Sequence, residues 1–397
     1  MQSRKKLAAV ITVYRKYSHA QHIVDRLLDG YGWDGAYHEP PSDLVGLYVD
    51  QVGADDLSRE RAARHPQMTI YPTIHDALTL GGSTLAVDGV VLVGEHGHYP
   101  KNEKGQTKYP RHEFFEQIVE VFRASKRAVP VFNDKHLSWN WDWAHEMYQT
   151  ARDFPFPLLA GSSLPVTWRI PSVEMPLGAN IREALCVCYG GVDSYDFHGL
   201  ETIQCMVERR KGGETGVRWL QAYRGETFWK ALHDGVWSAD LMQAALCRSH
   251  TLAQPRPGFN DLMPTVKQMR KLVADPVAYT YEHQDGLRCT MLLMMGLVRD
   301  FNFAARLENP SRIFSAQMYL PMPDGRTTLA TFFSPLVFHM ERMFATGRTD
   351  YPIERTLLTT GLTASGMESL FQKQTRIETP HLAIRYAAPK ESNFQRA

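Results

Sequence analysis

Charge of one sign, long apolar runs and cysteine pairs are what this chain has little of. Lysine and arginine number 44 against 43 aspartates and glutamates, a formal net charge of +1. That balance gives no electrostatic reason to expect a nucleic acid or a membrane surface as partner. No apolar run approaches the roughly 18 residues of a membrane span. The start MQSRKKLAAVITVY has a basic lead, but its apolar part is too short for a secretory leader and stops at Tyr14-Arg15-Lys16. It reads as a first strand. A cytoplasmic location is expected, with an export leader upstream left open. The five cysteines are few and odd in number. Cys186-x-Cys188 lies in an apparent strand, and buried free thiols in a reducing compartment are expected rather than a joint metal site.

What remains is an ordinary globular balance: 397 residues, 44% apolar and 22% charged. This is enough for two domains with real cores. The spacing predicts strands at 6–13, 44–49, 69–71, 88–93, 129–132 and 157–160. Helices fall between them. One begins at His19 behind an Ser18 cap, with Ile23, Leu27 and Leu28 on its apolar face. Others cover 55–64, 73–80 (Thr73 and Asp76 forming a capping-box-like start), 112–125 and 140–151, the last capped by Ser138 or Asn140. Strands alternating with helices over 1–164 mean an α/β, doubly wound parallel sheet. Its strand ends share one edge. From 165 to 397 the character changes. A linker at 171–176 leads to strands at 183–189, 217–223, 277–281, 289–293 and 318–320. Helices follow at 197–209, 334–345 and 355–371, and 254–263 is a Pro/Gly-rich loop. This reads as an α+β domain, an open and mainly antiparallel sheet with helices on one face. The tail after Ala388 reads as polar and disordered.

Two apolar runs stop abruptly in charged and imidazole side chains: VVLVGEHGHYP at 90–100 and VPVFNDKHLS at 129–138. Open α/β sheets bind ligands outside the carboxyl ends of such strands. Glu95, His96, His98, Asp134, Lys135 and His136 are therefore expected at one rim. A lysine crowded by His136 and partly desolvated has its pKa lowered toward neutrality, which makes Lys135 the leading acid/base; a surface lysine is the bland reading. Glu95, His96 and His98 form E-H-x-H, a donor set that suits Zn, Mn or Fe. On an extended segment the two histidines point one way and Glu95 the other, so a metal at Glu95 and His98 requires distant partners such as His19, Asp134 or His136. The alternative is direct hydrogen bonding of a polyhydroxylated substrate by Glu95, His96 and Tyr99. Trp139, Trp141 and Trp143 are read as packing in preference to sugar stacking. Trp168 and Arg169 open the second domain, Arg169 as a candidate for a substrate carboxylate. ERRKGGETGV at 208–217 lacks the GK[ST] ending of a phosphate loop and reads as a turn.

Taken in this order, the features resemble the Gfo/Idh/MocA family, sugar and polyol oxidoreductases with an N-terminal Rossmann domain and a C-terminal α/β domain. Residues 45–50 are placed like the family's second strand with its terminal acid. TIYPTIHDAL at 69–78 and the strand 88–98 occupy the positions of its next two strands. PVFNDKH at 130–136 is similar to the family's "hVl.EKP", which puts Lys135 on the family's catalytic lysine. DFHGLE at 196–201 is similar to "G.H.lD", which puts His198 on its second catalytic group, with Glu201 one turn on to orient it. The resemblance also implies a homo-oligomer paired through the open sheet of the second domain.

One departure decides the functional expectation. The family's first strand runs into a G-x-G-x-x-G/A turn that lets a pyrophosphate approach the backbone at a helix N-terminus. Here residues 12–19 read TVYRKYSH, with no glycine. Tyr14 and Tyr17 would take volume that a dinucleotide needs, while Arg15, Lys16 and the neighbouring His19 could face a phosphate and Asp50 a ribose. Asp134 and His136 stand where the family has glutamate and proline. The expectation is a carbohydrate- or sugar-acid-active enzyme on a small-molecule or oligosaccharide substrate, without classical nicotinamide binding. Lys135 and His198 would carry acid–base chemistry in elimination, hydration, epimerisation or glycosidic cleavage, with a divalent metal at Glu95/His98 as an option. The alternatives are an NAD(P)-dependent sugar or polyol oxidoreductase and a non-catalytic sugar-binding subunit.

Overall fold

The computed structural model describes residues 4–254, 263–308, 312–321, 329–391 and 393–396. Most of the Pro/Gly-rich loop expected at 254–263 lies outside the described residues. The chain divides into two compact units, one drawn from Met1–Pro100, Thr107–Ser163 and Pro323–Leu357, the other from Lys101–Gln106, Leu164–Met322 and Leu358–Ala397.

The first unit is built on a parallel sheet. In chain order it contains β1 (Lys5–Ile11), α1 (His19–Asp29), a short hairpin of β2 (Tyr31–Trp33) and β3 (Ala36–His38), β4 (Ser42–Val49), α2 (Ser58–Arg64), β5 (Thr69–Ile70), α3 (Ile74–Thr79), β6 (Gly89–Val93), α4 (Arg111–Ser125), β7 (Val131–Asp134), α5 (Trp141–Asp153) and β8 (Leu158–Gly161). The six-stranded order is β5-β4-β1-β6-β7-β8, every pairing parallel. This is the doubly wound order in which the sequence turns back between β1 and β6, and crevices form there beyond the carboxyl ends. Leu7 to Ile11 and Val90 to Val93 are fully buried, as strands covered on both faces must be. Helix starts follow their caps: Ser18 accepts the Gln21 amide, Thr73 the Asp76 amide, and Asn140 the Trp143 amide. The hairpin was not foreseen. It packs on a helix from far along the chain, Phe333–Thr346, through a Trp33–Phe338 stack at 4.4 Å. The start of that helix is pinned to α1 by Arg26, which donates to Ser334 Oγ at 3.1 Å and to the Ala330 carbonyl at 2.8 Å.

The second unit is built on an eight-stranded mixed sheet. Its elements are β9 (Arg169–Ile170), β10 (Ile181–Cys188), α6 (Asp196–Val207), β11 (Val217–Arg224), α7 (Glu226–His233), α8 (Ala239–Leu246), α9 (Val266–Leu272), β12 (Val277–His283), β13 (Arg288–Leu293), β14 (Phe301–Leu307) and β15 (Ile313–Met318). The returning helix just described is α10, and α11 (Ile353–Phe371) and β16 (Ile377–Glu378) complete the chain. The order is β16-β11-β12-β13-β10-β14-β15-β9, antiparallel apart from β10 with β13. Strand alternation gives the sheet two apolar faces. Leu185, Val187, Ala278 and Leu292 pack under α7, α8 and α9. On the opposite face Gly199 of α6 lies against Cys188 and Met291, and Gly366 of α11 against Tyr279. Helices thus cover both faces, not one as expected. The tail is also more ordered than expected, since Phe394 is buried and Arg169 lies 4.2 Å over its ring. Cys186 and Cys188 share one face of β10, and all five cysteines are free thiols. Among the described residues no helix is long and apolar enough to cross a membrane.

Gly46 in β4 lets α3 approach the sheet, because a Cβ there would sit 2.3 Å from the Ala77 carbonyl oxygen. Gly46→Ala is expected to destabilise the first unit by about 1–3 kcal/mol through overpacking, read as a lower urea midpoint at unchanged slope.

Candidate active site

The carboxyl ends of β1, β6 and β7 are tied into one rim. Thr12, just past β1, donates its hydroxyl to the Glu95 carbonyl at 2.6 Å and its amide to the Val93 carbonyl at 3.1 Å. Beyond β7, the Lys135 amide donates to the Gly161 carbonyl at 3.1 Å, and Asn133 Nδ2 donates to the carbonyls of Asp134 and His136, both at 3.2 Å. Three residues that are not glycine take left-handed backbone at these ends: Tyr17 (φ 66°), His96 (φ 68°) and Lys135 (φ 63°). Such conformations cost about 1–3 kcal/mol each and persist where surrounding contacts fix them.

Two hydrogen-bonded couples stand side by side at the end of β7. In one, Lys135 Nζ lies 3.1 Å from Glu95 Oε1, both side chains buried. In the other, Asp134 Oδ2 lies 2.7 Å from His19 Nδ1. Arg111, fully buried at the start of α4, also pairs with Glu95 and places Nη1 3.1 Å from His136 Nε2. Gly94 makes room for it, since a Cβ there would meet Arg111 Cγ at 2.5 Å. Burial alone would push the Glu95 carboxyl up; Lys135 and then Arg111 reverse that and hold it well below the usual carboxylate range. Burial, reinforced by the Arg111 charge, holds the His136 imidazole well below its usual value. Burial and the neighbouring His19 bring His96 down to about 4 and His22 to about 3.

This geometry corrects several expectations. Glu95, not His136, is the charged neighbour of Lys135. A metal at Glu95 and His98 is not supported, because both Glu95 oxygens are committed to cations. Among the described residues the one group with metal-ligand spacing is His112, Glu116 and Glu146 at the surface of α4 and α5. Tyr14 lines the crevice wall with its ring buried, and its hydroxyl is turned away to donate to Asp25 at 2.6 Å. Arg111, Asp25 and Arg61 were missed. Arg111 sat at the end of a polar loop with no local sign that it would be buried.

The remaining residues fall as follows. Arg15 and Lys16 are exposed at the turn after β1. Asp50, at the end of β4, accepts from the hydroxyls of Tyr48 at 3.0 Å and Tyr99 at 2.6 Å. Gln51 bridges to the backbone of His98 in both directions. A crevice of about 310 Å³ lies here, lined in part by Val13, Arg15, Gln51, Asp56, Gly97 and His98. Trp139 and Trp143 pack edge to face at 5.0 Å, and Trp143 stacks on His112 at 4.9 Å. In the second unit, His198 and Glu201 are buried one turn apart on α6, with His198 among Tyr195, Phe197 and Phe301. Trp168 packs on Tyr319. The Arg169 charge is met within its own unit by Glu174 at 2.6 Å.

Neither family models nor curated proteins return a match to the chain. Solved structures do. A myo-inositol dehydrogenase from Lactobacillus casei, in complex with NAD(H) and myo-inositol, is 9% identical with a TM-score of 0.57, covering 98% of this chain and 100% of its own. GenD2 from gentamicin A biosynthesis, in complex with NAD, is 10% identical at TM-score 0.58, covering 95% and 97%. A Gfo/Idh/MocA family oxidoreductase from Vibrio cholerae is 14% identical at TM-score 0.51, covering 93% and 99%. The fold is therefore the one that the motifs resembled. The expectation of a lyase-type cleft without classical nicotinamide binding is corrected: structures similar to this chain nearly end to end hold NAD.

The buried neutral histidines set a pH dependence. Above pH 6.5 neither folded nor unfolded chain protonates them appreciably. Below it the unfolded chain takes up protons that the folded chain refuses, so stability falls from about pH 6.5 toward the folded values of about 4 for His96 and about 3 for His22. Each refused proton costs about 1.4 kcal/mol per pH unit. Thermal melts are expected to drop between pH 7.5 and 5, and His96→Asn, whose amide tolerates the left-handed backbone, to flatten that fall.

Proposed function

We propose that this chain is an oxidoreductase that oxidises a hydroxyl of a polyol or sugar with a nicotinamide dinucleotide as hydride acceptor. The observation that carries the reading is the buried Lys135–Glu95 couple at the carboxyl end of β7. It stands two residues along the β6 loop from the crevice at the strand-order reversal. The likeness to NAD-binding inositol dehydrogenases supports it.

The residues around the crevice fit a dinucleotide. Tyr17 adopts the left-handed backbone that a glycine would otherwise supply in the turn after β1. Arg15 and Lys16 offer exposed cations there for phosphates. Asp56 Oδ1 is buried without a partner in the crevice wall, an acceptor suited to a sugar hydroxyl or an amino group. Asp50 stands at the position of the ribose acid, with both oxygens engaged by tyrosines. An acidic wall of Asp50, Asp55 and Asp56 favours a free 2′-hydroxyl over a 2′-phosphate, and so NAD over NADP.

When bound, the dinucleotide supplies the hydride acceptor. The chain's own residues do the rest. Lys135 Nζ donates to the substrate oxygen and stabilises the negative charge that develops on it. Glu95 fixes Nζ in place. His96 Nε2 is buried and unpaired, and receives or donates a hydrogen bond at an adjacent hydroxyl. A second polar contact beside the reacting one is what a polyol, as against a simple alcohol, can use.

Calorimetric titration is expected to show NAD⁺ binding at micromolar concentration, NADP⁺ binding more weakly, and an approximately tenfold loss in Arg15→Ala, the worth of one charge-assisted contact. Lys135→Met is expected to abolish oxidation of myo-inositol or a related polyol while leaving NAD⁺ affinity within threefold. No NAD⁺ binding up to millimolar concentration would refute the reading.

A further inference from the structure

Oxidation of a hydroxyl releases a proton as well as a hydride, and Lys135 is badly placed to receive it. A lysine nitrogen salt-bridged to a carboxylate, as Nζ is to Glu95 at 3.1 Å, donates hydrogen bonds and offers no lone pair. We propose that His19 is the proton acceptor of this site and that Asp134 is the residue that positions it. The proposal rests on the oxidoreductase reading and adds to it the group that closes its proton balance.

Four observations lead here. First, the Asp134 side chain is fully buried and its Oδ2 lies 2.7 Å from His19 Nδ1, while the His19 side chain keeps 17% of its exposure. A carboxylate on Nδ1 fixes the tautomer with hydrogen on Nδ1 and the lone pair on Nε2. Second, Asp134 and Lys135 are consecutive, so the two couples leave the same strand end: one can only donate, the other can accept. Third, His19 is the first residue of α1 and is held by the cap before it, where Ser18 accepts from the Gln21 amide and Gln21 Oε1 accepts from the Tyr17 amide at 2.7 Å. Fourth, its surroundings can accommodate a proton arriving. His96 stands edge-on at 5.2 Å and Phe333 edge-on at 5.2 Å; His22 also faces it, and His96 and His22 are both held neutral. Glu95, Asp134, Lys135 and Arg15 are the other charged groups nearby.

The step balances as follows. With an oxidised nicotinamide bound as the hydride acceptor, the carbinol C–H bond would break with its electron pair leaving as hydride to that acceptor. The O–H bond breaks, its proton moves to His19 Nε2, and its electron pair becomes the second C–O bond of the carbonyl. The imidazolium faces Asp134 and loses its proton to solvent along its exposed edge before the next turnover.

The test has a readout that needs no substrate. Histidine-selective ¹⁵N NMR on the full chain, with His19→Gln to identify the signals, is expected to show His19 with hydrogen on Nδ1 at pH 7.5, and Asp134→Asn to disturb that tautomer. The kinetic arm uses NAD⁺ with myo-inositol, scyllo-inositol, sorbitol and D-glucose. His19→Ala is expected to lower kcat by about 10²–10⁴-fold, the usual worth of a positioned general base, with KM within threefold and partial recovery on adding free imidazole. Asp134→Asn is expected to lower kcat with KM within threefold and, unlike His19→Ala, to show no recovery on adding free imidazole, a split that a merely structural role would not produce. Melting curves and His19→Gln guard against loss of fold. If the wild type oxidises none of the four compounds, the oxidoreductase reading fails and takes the proposal with it. If the wild type oxidises one and His19→Ala retains kcat within threefold, or His19 carries its hydrogen on Nε2, the proposal alone is overturned.

Discussion

One buried carboxylate organises the carboxyl edge of the first sheet. Glu95 is withdrawn from water at the end of β6 and held by two cations, Lys135 from the end of β7 and Arg111 from the start of α4. Each ion alone would be prohibitive there, and removing one partner of such a pair typically costs about 3–5 kcal/mol because the other charge is left uncompensated. The arrangement therefore ties three elements to each other, and none of the three charges can be lost singly. It also dictates the state of its neighbours. Burial first, then Arg111 against His136 and His19 against His96, holds both imidazoles neutral. The histidines that crowd this rim are thus hydrogen-bonding groups rather than charges, which suits recognition of a neutral, hydroxyl-rich molecule.

The backbone carries a second part of the same constraint. Tyr17, His96 and Lys135 all turn left-handed just past a strand end. A left-handed residue reverses the direction in which the next side chains leave, so the chain can direct consecutive residues to different partners. That is how Asp134 reaches His19 while Lys135 reaches Glu95. Asn133 braces this turn by donating to two carbonyls beyond it. Strain is stored where aim matters, and the hydrogen-bonded strand ends on either side hold it there.

Much of this was legible in the sequence, for identifiable reasons. The central strands of the first unit are buried, β1 from Leu7 on and β6, β7 and β8 throughout, so they read as continuous apolar runs, and the clusters closing two of them marked the rim. Caps at Ser18, Thr73 and Asn140 are local signals and were found. What failed was long-range pairing. Nothing near Arg111 in a polar stretch announces that Glu95 will bury it, and nothing near Tyr14 announces that Asp25 will turn its hydroxyl away from the crevice. In the second unit α7, α8 and α9 are short, and the sheet they cover was expected to have one bare face. Their apolar residues, such as Trp229, Trp237 and Leu241, have meaning only once β10, β12 and β13 are assembled beneath them.

Under the proposed reading, the glycine-free turn after β1 would be a phosphate-facing loop rebuilt from side chains. In the glycine fingerprint, backbone N–H groups at the helix start meet the pyrophosphate directly. Here Ser18 accepts from the Arg15 and Gln21 amides, and Gln21 from the Tyr17 amide. The helix end is closed by its own side chains, so little of its dipole is left for a ligand. Binding energy for phosphates must then come from Arg15 and Lys16, exposed charges on flexible stems. Such contacts are screened by salt within about 10 Å at ordinary ionic strength, whereas buried backbone donors are not. The trade frees the first turn of α1 for another use. With glycine's role taken by Tyr17 and the amides satisfied, position 19 can carry a full side chain, and it is there that the chain places the imidazole that reaches Asp134.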